Sequence, residues 1–258
     1  MRIIEPSVEI LSSLGPELLV NIERAGRTCY KSEQKFTPET ADKFVRMLIS
    51  RGHESVLEHS SVTVKWIVDR GVSHEIVRHR IGSYSQESTR YCNYAKDKFG
   101  NELTFIKPFF FEDDGIHNCK CLDCANFWSW RATCETAEEN YLQLIKNGCE
   151  PEQARSVLPN SLKTELVCTF NLREWRHFFK LRCAPAAHPQ MRQVALPLYY
   201  EFLDKIPALV EDIIIDEKAY ENIPFAEVTY NQWKSSEEIK SFTEELEPFK
   251  IEWIKEED

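Results

Sequence analysis

Apolar residues recur at helical spacing through Ala41, Phe44, Met47 and Leu48, which predicts a helix with one buried stripe. Thr37 stands where it can cap that helix and Pro38 where it can open it; Gly52 ends it. An earlier helix is predicted over 16–24. The period then changes to two. Val62, Val64, Trp66 and Val68 alternate with Ser61, Thr63, Lys65 and Ile67, the pattern of a strand with one face in the core. The same alternation returns in Leu162, Thr164, Leu166, Cys168 and Phe170, set between Lys163, Glu165 and Val167. Between the two strands, a short helix from about Gly71 leads into Arg78-His79-Arg80, and irregular chain rich in Ser, Gln and Tyr follows up to Tyr94. Further helices are predicted over 125–146, stopping at Asn147-Gly148; from Pro151 to before Pro159; over 172–183; and onward from about Pro189, with Pro197 expected to kink the last. These elements make an α+β chain, a mixed or antiparallel sheet flanked by helices, without the regular alternation of a doubly wound sheet.

The length of 258 residues suits one large domain or a closely fused pair. We assign 1–225 to one domain, with a cysteine-rich insertion at about 112–125, and read 226–258 as an acidic C-terminal appendage. The formal net charge of -10 opposes general nucleic-acid binding, so any anion site must be a local basic patch. No apolar run approaches the roughly 18 residues that span a bilayer, and Met1-Arg2-Ile3-Ile4-Glu5-Pro6 lacks the apolar stretch of a secretory signal. Nine cysteines, an odd number and mostly scattered, favour reduced thiols in a cytoplasm. There is no glycine-rich phosphate loop, so a nucleotide would be held by side chains.

The densest chemistry lies in Arg78-His79-Arg80-Ile81-Gly82-Ser83-Tyr84-Ser85-Gln86-Glu87-Ser88-Thr89-Arg90-Tyr91. Guanidinium forks and hydroxyls suit phosphate oxygens. If the preceding helix continues, Arg78 and Arg80 stand about 200° apart around its axis and address two different anions. The plainer reading is a basic cap on a helix C-terminus. Farther on, Trp175, Phe178 and Phe179 form an apolar stripe, and Arg182 falls on it, while Arg173, Arg176, His177 and Lys180 mostly take the other faces. A guanidinium on an apolar stripe needs a partner. That partner is either a core carboxylate or a bound ligand.

Arg78-His79-Arg80, a seven-residue spacer and Ser88-Thr89-Arg90-Tyr91 resemble the signature of the flavin-dependent thymidylate synthases. His53-Glu54-Ser55-Val56-Leu57-Glu58-His59, Ala154-Arg155 with Val157-Leu158-Pro159, and Asn171-Leu172-Arg173 with Leu181-Arg182 resemble further motifs of that family. The resemblance runs from about His53 to His188. It implies the flavin-dependent thymidylate synthase fold and a homotetramer with FAD held where subunits meet. It implies methylation of dUMP to dTMP, with NADPH and 5,10-methylenetetrahydrofolate as co-substrates. By resemblance, Ser55, Arg78, His79, Arg80, Gln86, Asn171, Arg173 and His177 contact FAD. Glu75, Arg78, Gln86, Glu87, Ser88, Arg90, Arg155 and Arg182 contact dUMP, and Arg182 is the catalytic residue that activates the pyrimidine. The chain departs from the common pattern at Glu75 and Gln86, where amide and carboxylate are exchanged, and at His177, which replaces a common Asn. His53 either positions the folate and nicotinamide or caps a turn after Gly52.

His117, Cys119, Cys121 and Cys124 match a zinc ligand set in number, but their crowding in one short loop favours a thiol-rich insertion, and no metal is expected. Phe109-Phe110-Phe111 with Phe127, Trp128 and Trp130 reads as core or subunit contact. A non-catalytic nucleotide- or single-stranded RNA-binding module is the alternative to an enzyme; the acidic balance and Arg182 on an apolar stripe argue against it. No cysteine stands in the surroundings of a thymidylate synthase nucleophile.

Overall fold

The computed structural model describes residues 1–29, 31–111 and 122–230. Two short strands, β1 (Arg2–Ile4) and β2 (Ser7–Ile10), open the chain, followed by α1 (Glu17–Cys29) and α2 (Ala41–Ser50). Pro38–Thr40 form a single tight turn ahead of α2, and the Thr37 N–H donates to Thr40 Oγ1 at 3.2 Å. Gly52 takes φ +70° just past the helix, with Gly52 N–H bonded to the Ile49 carbonyl and His53 N–H to Leu48. That is the glycine-dependent C-terminal stop the sequence predicts. Gly148 repeats it at φ +92° after the long helix α4 (Leu122–Lys146).

Before α4 come β3 (Ser61–Asp69), α3 (Arg70–Ile76), β4 (Gly82–Gln86) and β5 (Thr104–Ile106). After it come α5 (Pro151–Ala154), β6 (Lys163–Asn171), α6 (Leu172–Arg182), α7 (Pro189–Lys205), α8 (Pro207–Val210) and β7 (Glu227–Tyr230). The main sheet runs β4-β6-β3-β2-β7, antiparallel except for the parallel β2-β7 pair. β1 and β5 form a separate parallel pair. The sheet is therefore mixed and helix-flanked, as the patterning predicts.

β3 and β6 pair along their whole length, from Ser61↔Asn171 to Asp69↔Lys163. The register places Val62, Val64, Trp66 and Val68 beside Leu166, Cys168 and Phe170 on one buried face. Helices α1, α2, α6, α7 and α8 contribute to that core. Trp66 Nε1 donates to Cys168 Sγ at 3.1 Å and Trp175 Nε1 to the Val62 carbonyl at 3.1 Å, so the buried indoles keep their partners. A smaller core gathers Leu103, Phe105, Cys134, Tyr141 and Leu162 beneath α4.

Three expectations change. The segment after Arg80 is not irregular: Gly82–Gln86 form β4, an edge strand bonded to β6. The short helix ends at Ile76, so Arg78 and Arg80 do not project around a helix axis; both are exposed while His79 between them is buried. The stretch read as an appendage from 226 begins with β7, the outer strand of the main sheet. Its remainder, and His117, Cys119 and Cys121, lie outside the described residues. Pro197 sits inside α7, and the helix continues through it.

Candidate active site

The buried helix α6 organises the site. Asn171 caps it, its Oδ1 accepting from Glu174 N–H at 2.8 Å. Trp175, Phe178 and Phe179 are fully buried. Arg182 emerges at the last turn, with its side chain 17 % exposed. Its Nη1 donates to Glu75 Oε2 at 2.7 Å, its Nη2 to the Glu75 carbonyl at 2.8 Å and its Nε to His79 Nε2 at 3.1 Å. On the other side of the ring, His79 Nδ1 lies 2.9 Å from Glu174 Oε1. Glu75, Arg182, His79 and Glu174 thus form one connected row from α3 across to the start of α6.

His79 is held well below the ordinary histidine value, at about 4, first by burial and then by the positive charges of Arg182 and His177. The ring is therefore neutral near pH 7, and its contact with Glu174 is a hydrogen bond from a neutral donor. Glu174 is itself pushed up by burial, against the pull of His177 and Arg173. The Tyr84 hydroxyl donates to the His79 carbonyl and lies 3.1 Å from that of Ile76. Strand β4 thereby fixes the backbone of the Arg78-His79-Arg80 segment.

Two concavities hold further predicted residues, and the first also takes in Glu174 of this row. One, of about 360 Å³, opens at the N-terminal end of α6 and is lined by Asn171, Arg173, His177, Lys180, Ile81, Glu54 and Glu58 among others. Arg173 pairs there with Glu58 at 2.7 Å. Ser55 lies exposed between those two glutamates in the turn Glu54–His59. The other, of about 590 Å³, lies on the open face of the sheet and takes in Gln86, Glu87, Lys65, Lys163, Glu165 and Tyr94. Glu87 accepts from Lys163 at 3.1 Å and from the Tyr94 hydroxyl at 3.0 Å. Gln86 turns its amide to Ser73 Oγ at 3.0 Å and Thr164 Oγ1 at 3.2 Å.

Ser88 and Arg90 occupy the turn beyond β4, where Arg90 N–H donates to Ser88 Oγ at 3.2 Å. Arg90 reaches Glu152 at 3.3 Å, and Arg155 reaches Thr89 Oγ1 at 3.4 Å. Phosphate-binding candidates from two distant segments are thus brought to one surface. In a single chain the predicted residues form three neighbouring groups: Glu75, His79 and Arg182; Ser55, Asn171, Arg173 and His177; and Gln86 through Arg90 with Arg155. Arg78 and Arg80 are exposed in the loop that joins α3 to β4.

One face assignment is corrected. Arg176 is not on an outer face of α6: its side chain is 2 % exposed and paired with Asp212 at 2.6 Å. Helix α6 packs against α8 here, and the stem of Arg176 is covered while its head meets Asp212 and the Leu209 carbonyl. Glu174 is a site residue the sequence reading missed. Its signal was the spacing Glu174, Phe178, Arg182, which puts an acid on the same stripe as the arginine.

The family described as "Thymidylate synthase complementing protein" (Thy1) matches residues 10–208. Among curated relatives, the chain is 33 % identical over 204 residues to a flavin-dependent thymidylate synthase of Geobacter sulfurreducens, covering 76 % of this chain and 82 % of that one. It is 35 % identical over 211 residues to one of Mycobacteroides abscessus, with 78 % and 80 % covered, and 32 % identical over 177 residues to one of Pyrococcus furiosus, with 68 % of each covered. Its fold is similar to that of the UMP/dUMP methylase PolB from Streptomyces cacaoi bound with 5-Br dUMP. That match has a TM-score of 0.66 and 21 % identity and covers 88 % of this chain and 99 % of that chain.

Proposed function

The chain belongs to the Thy1 family of flavin-dependent thymidylate synthases, and from that premise we propose that it is the enzyme that methylates dUMP to dTMP using FAD, NADPH and 5,10-methylenetetrahydrofolate. The observation that carries this reading is the placement of Arg182. Its guanidinium is anchored through all three nitrogens yet keeps one N–H on each terminal nitrogen for a ligand among the described contacts. A donor pair held this way is suited to negative charge that develops on a pyrimidine ring, and preorganised donors of this kind are often the largest catalytic contribution.

The residues present fit a flavin dinucleotide in part. The cleft at the start of α6 offers the positive end of a helix dipole, Arg173, His177 and Lys180 to an anionic group, and Ile81 to an apolar one. Its volume is at the low end of ligand pockets, which run from about 300 to 1,000 Å³, so a dinucleotide needs a second surface to complete the site. That favours the homotetramer with FAD at subunit contacts. Bound FAD, reduced by NADPH, supplies the hydride that completes the methyl group on the carbon delivered by the folate. The protein's part is to bind and orient. Ser88, Arg90 and Arg155 hold the dUMP phosphate, each arginine exchanging its present partner for a doubly charged one. Arg182 holds the pyrimidine while charge accumulates on it.

A cysteine nucleophile is not needed in this scheme, and burial pushes the Cys134 and Cys168 thiols up to about 12, far from a reactive thiolate. The same reading places the enzyme in the cytoplasm. No helix among the described residues is long and apolar enough to cross a membrane. The alternative, a nucleic-acid-binding module, is not favoured, because the net charge of -10 opposes a phosphate backbone and Arg182 is drawn into the row with Glu75 and His79 rather than displayed on a basic face. The test is Arg182→Ala in FAD-loaded protein supplied with NADPH, methylenetetrahydrofolate and dUMP. Loss of dTMP formation by about 10²-fold or more, with flavin still bound, is expected; undiminished turnover refutes the assignment.

A further inference from the structure

Glu174, Phe178 and Arg182 succeed one another at intervals of four along α6, so an acid and a base flank an aromatic ring on one stripe. His79 enters from the loop between α3 and β4 and lies over that ring, with centroids 4.9 Å apart. Phe170 stands 6.0 Å away and His177 5.4 Å, and His79 is 3 % exposed. An arginine can only donate hydrogen bonds. The 3.1 Å contact from Arg182 Nε therefore requires His79 Nε2 to accept. In a neutral imidazole the proton must then sit on Nδ1, and Nδ1 is 2.9 Å from Glu174 Oε1. Glu174 is held in its turn by the first turn of α6, where the helix dipole favours a carboxylate and its N–H is fixed to Asn171.

We propose that Glu174 is a positioning residue for Arg182 that acts through His79. By accepting from Nδ1–H it holds the tautomer whose Nε2 receives Arg182, and so fixes the guanidinium toward the pyrimidine. The inference rests on the role given to Arg182 above. Without an acceptor at position 174, His79 either leaves a buried N–H unpaired or moves its proton to Nε2. In the second case two N–H groups face each other across 3.1 Å and the Nε end of Arg182 is released. Glu75 then holds the guanidinium by its terminal nitrogens alone.

The test uses the FAD-loaded full chain. Glu174→Leu is expected to lower kcat for dTMP formation by about tenfold or more, with the KM for dUMP changed less than kcat. Glu174→Gln keeps an accepting oxygen and is expected to stay within about threefold of the unaltered enzyme. Added to Arg182→Ala, Glu174→Leu is expected to cost nothing further, because both act on one group. A merely structural Glu174 gives additive losses, which overturns the proposal; so does Glu174→Gln losing as much as Glu174→Leu. Should the leucine variant fail to fold, histidine ¹⁵N shifts of the unaltered protein decide. They are expected to show His79 protonated on Nδ1 alone, and protonation on Nε2 overturns the proposal. Full turnover in Arg182→Ala would instead sink the role of Arg182 itself, which separates the two failures.

Discussion

Arg182 meets Glu75 twice, through the carboxylate at 2.7 Å and through the main-chain carbonyl at 2.8 Å. The second bond survives any side chain at position 75. The first places a negative charge beside the group proposed to receive a pyrimidine that is itself gaining negative charge. Both side chains keep some exposure, 17 % and 31 %, so the pair adds little stability and its main effect is on the charge the substrate meets. Glu75→Gln keeps an acceptor for Nη1 and removes that charge. We expect the KM for dUMP to fall about three- to tenfold, worth about 1 kcal/mol, with kcat little changed. A several-fold rise in KM in steady-state assays would mean that the substrate uses the carboxylate itself.

Arg176 makes the opposite case, a charge buried for structure. Its side chain is 2 % exposed, and Asp212 receives both terminal nitrogens at 2.6 and 2.7 Å. Removing one partner of such a pair strands the other. Asp212→Ala is expected to cost about 3 kcal/mol in urea unfolding. Arg176→Met should cost less, since Asp212 is 45 % exposed and can return to water. Equal losses would show that burial of the arginine is not what makes the pair necessary.

What could be read from the sequence follows from how locally each feature is determined. β3, β6, α2 and α6 announce themselves because each has one wholly buried face, and Gly52 and Gly148 mark helix ends that require φ > 0. β4 is hidden because Gly82, Ser83 and Ser85 are exposed and only pairing with β6 makes the segment a strand. β1, β2, β5 and β7 are three or four residues long, and their pairings join distant parts of the chain. Arg182 was legible as a polar group on an apolar stripe. Arg176 was not, because its cover comes from α8. His79 and Glu174 meet across 95 residues, a contact no local pattern reports.

Gly82 joins the signature segment to the core. A Cβ built there would collide with the Phe170 ring and stand 3.2 Å from the Thr169 carbonyl. Phe170 is fully buried and cannot move aside freely, so β4 would have to lift from β6. Gly82→Ala is expected to destabilise the protein by about 1–3 kcal/mol, the usual cost of overpacking. It should also lower turnover, since Tyr84 on the same strand holds the backbone of His79. Thermal unfolding and dTMP assays check both. An unchanged midpoint would show that the strand edge has slack which the close approach to Phe170 does not suggest.

The neutral His79 gives the protein a defined acid sensitivity. In the folded chain it gains a proton only near pH 4, whereas in the unfolded chain it does so near the ordinary value of about 6.5. Between these values the unfolded chain binds more protons, so stability is fully present above about 6.5 and falls as pH drops toward 4, by about 3 kcal/mol in all. Glu174 and Asp69, both pushed up by burial, work in the other direction, since the folded chain takes their protons first. A His79→Gln variant separates the contributions, because it keeps the carboxylates and removes the ring. Urea unfolding across this range should show the unaltered protein losing more stability on acidification than the variant. Turnover of the folded enzyme should hold through most of this range and fall only as pH nears 4, where the ring gains its second proton and presents N–H to Arg182 Nε. Parallel stability curves for the two proteins would mean that His79 can carry charge in the folded state, and the hydrogen-bonded row from Glu174 to Arg182 would lose the neutral ring that joins it.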